Sequence, residues 1–231
     1  MTDLTITNAE LSDENIIGLA KGLPNSNLKT LNLKLNYFGP EGYQAIMQGL
    51  AESNVTEVSF ICCDITTPIF EIIGNTIGDT KLKILRLCDN YIEEEGYKVL
   101  LPGIGRSQLE VLDMAISFVS DQEIPALAAG LPLTKLTTVI LEGNNISDVG
   151  ASLLAEAMAQ SPHLCHISLA NNQITDHGVS LFVDQLSGRA PTTLNFQCNK
   201  FALDDSKLNE LRQIMIETAA SQGHTLKLDC E

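Results

Sequence analysis

Leu82-Lys-Ile-Leu85-Arg-Leu87-Cys-Asp-Asn90-Tyr-Ile92 is a frame that the chain repeats: Leu28 to Phe38 and Leu164 to Ile174 place apolar residues at its positions 1, 4, 6 and 11 and Asn at position 9. Weaker copies fill the gaps at Val55 to Ile65, Leu109 to Val119, Leu136 to Ile146 and Thr192 to Phe201. The fourth frame position falls at residues 4, 31, 58, 85, 112, 139, 167 and 194, a spacing of 27 with one step of 28. Alternation at positions 4 and 6 predicts a short strand with one buried face. The stretch that follows carries apolar residues at helical spacing, such as Leu153, Leu154, Ala157 and Met158. A strand and a helix in every repeat must stack in parallel, because one unit cannot bury its apolar face alone.

The second half of the repeat sharpens the pattern. Ile146-Ser-Asp148-Val-Gly150 and Ile174-Thr-Asp176-His-Gly178 open two helical halves, and Gly42 and Gly96 occupy the same glycine slot in two others. This L-x-x-L-x-L-x-x-N-x-I frame, followed by I-x-D-x-G-x-x-x-L, resembles the leucine-rich repeat of the ribonuclease-inhibitor-like kind. It is also similar to the repeats of the Ran GTPase-activating protein and of NOD-like receptors. The resemblance covers the whole chain and implies an α/β solenoid, a curved right-handed arc with parallel strands on its concave face and helices on its convex face. It implies little about function, because the family shares a scaffold and not a partner. In such repeats the Asn at position 9 (Asn36, Asn90, Asn144, Asn172, Asn199) satisfies backbone groups where the chain leaves the strand. Cys63 and Ser117 replace it in two repeats, where weaker bonds and local loosening are expected.

The expected organisation is one domain, residues 1–231, of about eight repeats. Its first repeat has Ala9 in the Asn slot, and a cap begins at about 204. The cap is a helix with Leu208, Leu211, Ile214 and Met215 on one face, ended by Gly223 and followed by a strand over Thr225 to Leu228.

Composition narrows the function. No apolar run is long enough to span a membrane, and the start at Met1 shows no secretory leader. The expectation is a cytosolic protein, either in its own cell or, if exported as an effector, in another cell. Six cysteines without a CxxC pair are then expected to be free thiols. A net charge of −15 argues against nucleic acid and anionic lipid and permits a basic protein partner. No zinc-protease HExxH, phosphate-binding loop, dinucleotide fingerprint or nucleophile elbow occurs. His163, Cys165 and His166 are close in sequence, but on an extended strand they do not converge. Neither metal nor cofactor nor catalysis is expected.

Acids gather just before the helices: Asp13, Glu14, Glu41, Glu93, Glu94, Glu95, Asp121, Glu123, Asp148, Asp176, Asp204 and Asp205. Stabilisation of helix N-termini accounts for that placement, and stacking would also line them along one edge. Positions 3, 5 and 7 should point out of the concave face. There Ile61, Ile84, Cys88, Val111, Ala115 and Ile140 make an apolar band across the middle repeats. Folding does not require apolar residues on exposed strand positions, so the band points to an interface. Arg86, Asp113 and Glu142 are its polar neighbours, with Arg86–Asp113 and Lys83–Glu110 expected to pair across adjacent strands. Tyr37, Tyr91 and Phe118 fall at position 10, after the Asn slot, where aromatic residues fit a binding hot spot. The expected function is non-catalytic binding of a protein partner by a monomer, through the concave face and adjoining loops. A regulator of an enzyme such as a small GTPase, or an effector or receptor fragment sensing a protein ligand, is the alternative.

Overall fold

The computed structural model describes residues 1–186, 192–200, 213, 216–217, 219–221 and 223–227. Among the described residues nine parallel strands form one open sheet in sequence order: β1 (Asp3–Thr7), β2 (Thr30–Lys34), β3 (Glu57–Ile61), β4 (Ile84–Arg86), β5 (Val111–Asp113), β6 (Thr138–Ile140), β7 (His166–Ser168), β8 (Thr193–Asn195) and β9 (Thr225–Lys227). The register pairs equal frame positions throughout, Leu31 with Val58, Leu85 with Leu112 and Ile167 with Leu194. Frame positions 4 and 6 are fully buried in the inner repeats, as Leu85 and Leu87 or Val139 and Leu141. They pack against helices α1 (Asp13–Gly22), α2 (Pro40–Glu52), α3 (Thr67–Thr76), α4 (Glu94–Arg106), α5 (Ile124–Gly130), α6 (Asp148–Gln160) and α7 (Asp176–Gln185). The expected terminal strand is β9, with Leu228 outside the described residues. Leu208, Leu211, Ile214 and Met215 of the expected cap, with Asp204 and Asp205, also lie outside them. Gln213, Ile216, Glu217 and residues 219–221 are helical.

The Asn ladder is present. Asn90 is buried, donates from Nδ2 to Phe60, Leu87 and Cys88 carbonyls at 2.7–3.1 Å, and accepts from the Cys63 and Ile65 amides at 3.0 and 3.3 Å. Asn144 does the same with Met114, Leu141, Glu142, Ser117 and Val119. Cys63 and Ser117 supply the donor half, to Leu33 and Ile61 and to Leu87 and Ala115 respectively.

Two kinds of repeat alternate, a feature absent from the expectations above. The first, third and fifth repeats have shorter helices, each running into a 3₁₀ turn (Leu23–Asn25, Ile77–Asp79, Leu131–Leu133), whereas α2, α4 and α6 are 13-residue helices without one. In two of the three turns a proline stands in the second position, Pro24 and Pro132. Tyr43 and Tyr97 take the same core slot in α2 and α4, both fully buried. Cys63 and Ser117, the small replacements for Asn, occur one repeat after each. The Tyr43 hydroxyl has no hydrogen-bond partner and lies against the Cys63 thiol, which burial pushes up to about 11.

Three of the helix-side acids act between repeats. Asp13, at the start of α1, accepts from the Gly39 amide that precedes α2 at 2.5 Å. Asp121 accepts from the Ser147 amide at 3.0 Å, from the Ser147 hydroxyl and from the Gly150 amide at 3.1 Å. Asp148 accepts from the Thr175 amide and hydroxyl, both at 2.7 Å. Glu123 accepts from the Ser120 amide and hydroxyl just before its own helix, whereas each of these three carboxylates caps the next helix. It also explains the glycine slot: a Cβ on Gly150 would sit 2.5 Å from Asp121 Oδ1, and one on Gly178 2.2 Å from Asp148 Oδ1. Elsewhere helices touch backbone to backbone, and a Cβ on Gly103 in α4 would lie 1.9 Å from the Gly74 carbonyl oxygen in α3.

Two stability predictions follow from these contacts. Asp121→Ala removes three charge-assisted bonds at a part-buried site and should lower stability by about 2 kcal/mol, read as a lower urea midpoint. Gly103→Ala would gain about 1 kcal/mol in an exposed helix, but the clash with Gly74 should reverse the sign to a loss of about 2 kcal/mol. An unchanged or raised midpoint for Gly103→Ala would show that α3 and α4 are not in backbone contact.

Candidate functional site

On the concave face the side chains of frame positions 3 and 5 flank each buried position 4. The register lays them in rows: Glu57, Ile84, Val111, Thr138 and His166 in one, and Ser59, Arg86, Asp113, Ile140 and Ser168 in the next. Ile84 and Val111 are therefore side by side, each half-buried. The rest of the expected apolar band is divided. Ile140 stands beside Asp113, whereas Ile61, Cys88 and Ala115 occupy the outer row, also half-buried.

Charged residues on this floor engage one another. Arg86 Nη1 lies 3.2 Å from Glu57 Oε1, and its Nε lies 3.9 Å from Asp113 Oδ2. The Arg86–Asp113 pairing is thus present but loose, and the nearer partner, Glu57, stands in the neighbouring row on the preceding strand. The Arg86–Glu57 contact is ionic without hydrogen-bond alignment, since Nη1 is buried and makes no hydrogen bond. Lys83 and Glu110 pair at 2.7 Å as expected. Glu142 accepts from the Ser168 hydroxyl at 2.5 Å. Burial lowers the pKa of His166, with Lys227 adding to the shift and Glu142 opposing it. Burial, with Asp113 beside it, pushes the Cys88 thiol up to about 12, so this sulfur is a neutral thiol at pH 7.

Among the described residues no three His, Cys, Asp or Glu side chains converge on a point that could hold a metal. His163 and Cys165 are exposed and His166 is half-buried. Cys62, Cys63, Cys88 and Cys165 are free thiols. Cys198 is disulfide-bonded, which corrects the expectation for that residue; Cys230 lies outside the described residues.

The loops that leave the strands form a second surface. Tyr37, Tyr91 and Phe118 are 59%, 54% and 60% exposed, and Ile116, which sequence reading missed, is 57% exposed. Ile116 occupies frame position 8, where the backbone is left-handed in every repeat. Asn8, Leu35, Cys62, Asp89, Ile116, Gly143, Asn171 and Cys198 have φ of 48–66° there. Asn, Asp and Gly tolerate that conformation, whereas a β-branched residue does so rarely. At position 10 the first, third and fifth repeats are left-handed as well, and there Phe118, with φ of 57°, stands where the other two have Glu10 and Asp64. The available signal was an Ile in a slot that neighbouring repeats fill with Asp89, Gly143 and Asn171. Between the third and fourth repeats, Tyr91 and Glu93 face Asp64, Thr66 and Pro68 across a groove.

Comparison with known proteins agrees with this architecture. A family model described as "Leucine Rich repeat" matches residues 25–47, 133–155 and 160–183. The Mus musculus NACHT, LRR and PYD domains-containing protein 14 is 23% identical over 165 residues, 70% of this chain and 14% of that protein. The chain thus matches only a small part of that relative's length. The structure of a TLR13–ssRNA13 complex superposes with a TM-score of 0.50 at 15% identity, over 90% of this chain and 30% of that one. Actin-binding site 2 of leiomodin-1 superposes more loosely, with a TM-score of 0.42 at 14% identity over 56% of this chain and 75% of that one. With nine parallel strands in sequence order, helices packed on one side and the repeat frame in each unit, the chain is a leucine-rich-repeat solenoid.

Proposed function

We propose that this solenoid is a non-catalytic protein-binding module that engages its partner through the concave face of its middle repeats and the adjoining loops. The carrying observation is the adjacent pair Ile84 and Val111. They are apolar at strand positions that point away from the core, in a row whose other members are mostly polar. A folded monomer gains little from an apolar residue at such a place, whereas an interface gains about 25 cal/mol for each Å² it covers. Ile61, Cys88, Ala115 and Ile140 extend the surface, with Arg86, Asp113 and Glu142 as polar contacts and Tyr37, Tyr91 and Phe118 at its border. A protein partner is favoured over nucleic acid because the chain carries −15 and its floor charges are internally paired. We place the repeats in the ribonuclease-inhibitor-like subfamily on the I-x-D-x-G half-repeat and the full α-helices that follow it. The module is read as one domain, acting as a monomer in a cytosol.

The test is affinity capture from a reducing cytosolic lysate with wild type and an Ile84→Asp/Val111→Asp variant whose circular dichroism matches wild type. Partners bound through the floor should be retained by wild type and reduced at least about tenfold by the variant, because two desolvated carboxylates would enter the interface. Equal retention by both proteins would remove the concave floor from the binding site.

A further inference from the structure

The loops leaving the strands carry apolar residues where folding disfavours them. Ile116 and Phe118 are both more than half exposed and both left-handed. Neighbouring repeats place Asp89, Gly143 and Asn171 in the left-handed slot of Ile116, and Asp64 has the left-handed backbone of Phe118 two repeats earlier. Those residues suit the turn, whereas a β-branched or bulky residue at positive φ strains it. With such exposure, packing within the chain does not account for the pair. Tyr91 adds a second exposed ring on the adjacent loop, and Tyr37 a third two repeats further back.

The charge around these residues has one sign. Segments 61–66, 88–95, 115–123 and 142–148, which leave the strands of the four middle repeats, contain nine carboxylates and no lysine, arginine or histidine. Lys29, Lys81, Lys83, Arg106 and Lys135 stand instead on the segments that enter the strands, at the opposite edge of the sheet. Lys98 on α4 is held by Glu94 and Glu95 at 2.8 and 2.7 Å, and Arg86 on the floor lies beside Glu57 and Asp113. Asp64 and Glu93, the carboxylates beside Tyr91, line the groove between the third and fourth repeats. An exposed ring between carboxylates favours a cation over its face, and a single-sign edge draws in an oppositely charged partner.

We infer that this edge is a docking ridge for a partner segment that alternates basic and apolar side chains, its apolar groups on Ile116 and Phe118 and a lysine or arginine in the groove beside Tyr91. The inference rests on the protein-binding reading above, moves the principal contact from the concave floor to the loops and specifies the chemistry of the partner.

Fluorescence anisotropy with three labelled twelve-residue peptides tests it on the full chain: alternating Arg and Leu, alternating Arg and Ser, and alternating Glu and Leu. The Arg–Leu peptide should bind at least about tenfold more tightly than the other two, which lack either the apolar or the basic contact. An Ile116→Asn/Phe118→Asn variant should weaken it at least about tenfold while raising the melting temperature by about 2–4 °C, because the strain is relieved. Asp64→Asn/Glu93→Gln should weaken it more than Glu71→Gln/Glu156→Gln, which removes the same charge from helices α3 and α6. The Ile84→Asp/Val111→Asp variant is the floor comparison, and the ridge variant should weaken the peptide more than it does. Unchanged binding in the ridge variant, a lowered melting temperature, or equal binding of the three peptides would overturn the inference. So would a wild-type dimer in sedimentation that the ridge variant dissolves, since the occupant would then be a second copy of this chain. Peptide binding lost from the floor variant but kept by the ridge variant would reject the ridge while leaving the protein-binding reading intact. Absence of binding by any peptide would also reject the ridge, and the lysate capture would then judge the broader reading separately.

Discussion

The amide of Asn90 does what the backbone cannot do for itself. Where a chain turns out of a buried strand, its amides and carbonyls lose their ladder partners while still shielded from water, and each unpaired group costs roughly 1–3 kcal/mol. Asn90 closes five of these gaps, and three of the five belong to the preceding repeat. The carboxylates of Asp13, Asp121 and Asp148 repeat this logic on the helix side, each capping a helix that begins one repeat later. Polar satisfaction therefore runs between repeats at both ends of the strand–helix unit, just as apolar burial does. No repeat is complete alone, so the stack is held by its nearest-neighbour interfaces.

That dependence explains the departures from the frame. The tyrosine in the core slot of α2 carries its hydroxyl to the Cys63 rung of the Asn ladder. Cys63, one repeat on, is smaller than Asn and leaves room for the Tyr43 ring and oxygen, at the expense of the acceptor that Asn would supply. Asn90 and Asn144 then serve the amides of Cys63 and Ser117, so alternate rungs bear more of the polar load. Cys63 and Tyr43, twenty residues earlier, are two parts of one packing solution.

The solenoid was legible because its signal is periodic: a residue class returning every 27 positions survives any single substitution. The strand register, the Asn ladder and the Lys83–Glu110 pair follow directly from equal spacing. What spacing conceals is direction. Asp148 starts its own helix in sequence, yet its oxygens face the next one, and only coordinates distinguish the two. Glu57 was likewise missed as the partner of Arg86, because a diagonal contact between different frame positions does not emerge from aligning equal ones. Ile116 was overlooked for a different reason: its significance lies in a left-handed backbone, which the sequence states only through the Asp, Gly and Asn that neighbouring repeats place there. The alternation of repeat types was only partly visible, since Gly22-Leu23-Pro24 and Gly130-Leu131-Pro132 mark the first and fifth repeats while the third has Thr76-Ile77-Gly78 in their place.

Backbone strain also separates residues that merely tolerate solvent from residues that use it. An apolar side chain on the concave floor is half-covered by its neighbours, so Ile84 and Val111 gain some burial within the monomer. Arg86 on the same floor already has Glu57 and Asp113 beside it. The loop edge differs in both respects, because Ile116 and Phe118 remain largely exposed in a conformation that disfavours them, beside carboxylates with no basic residue in the same segments. A contact that covered the ridge would bury apolar area without first breaking an internal ion pair, whereas a charged partner on the floor would have to compete with Glu57 and Asp113 for Arg86. The floor is thus better suited to extend an interface by shape, and the ridge to set its charge preference.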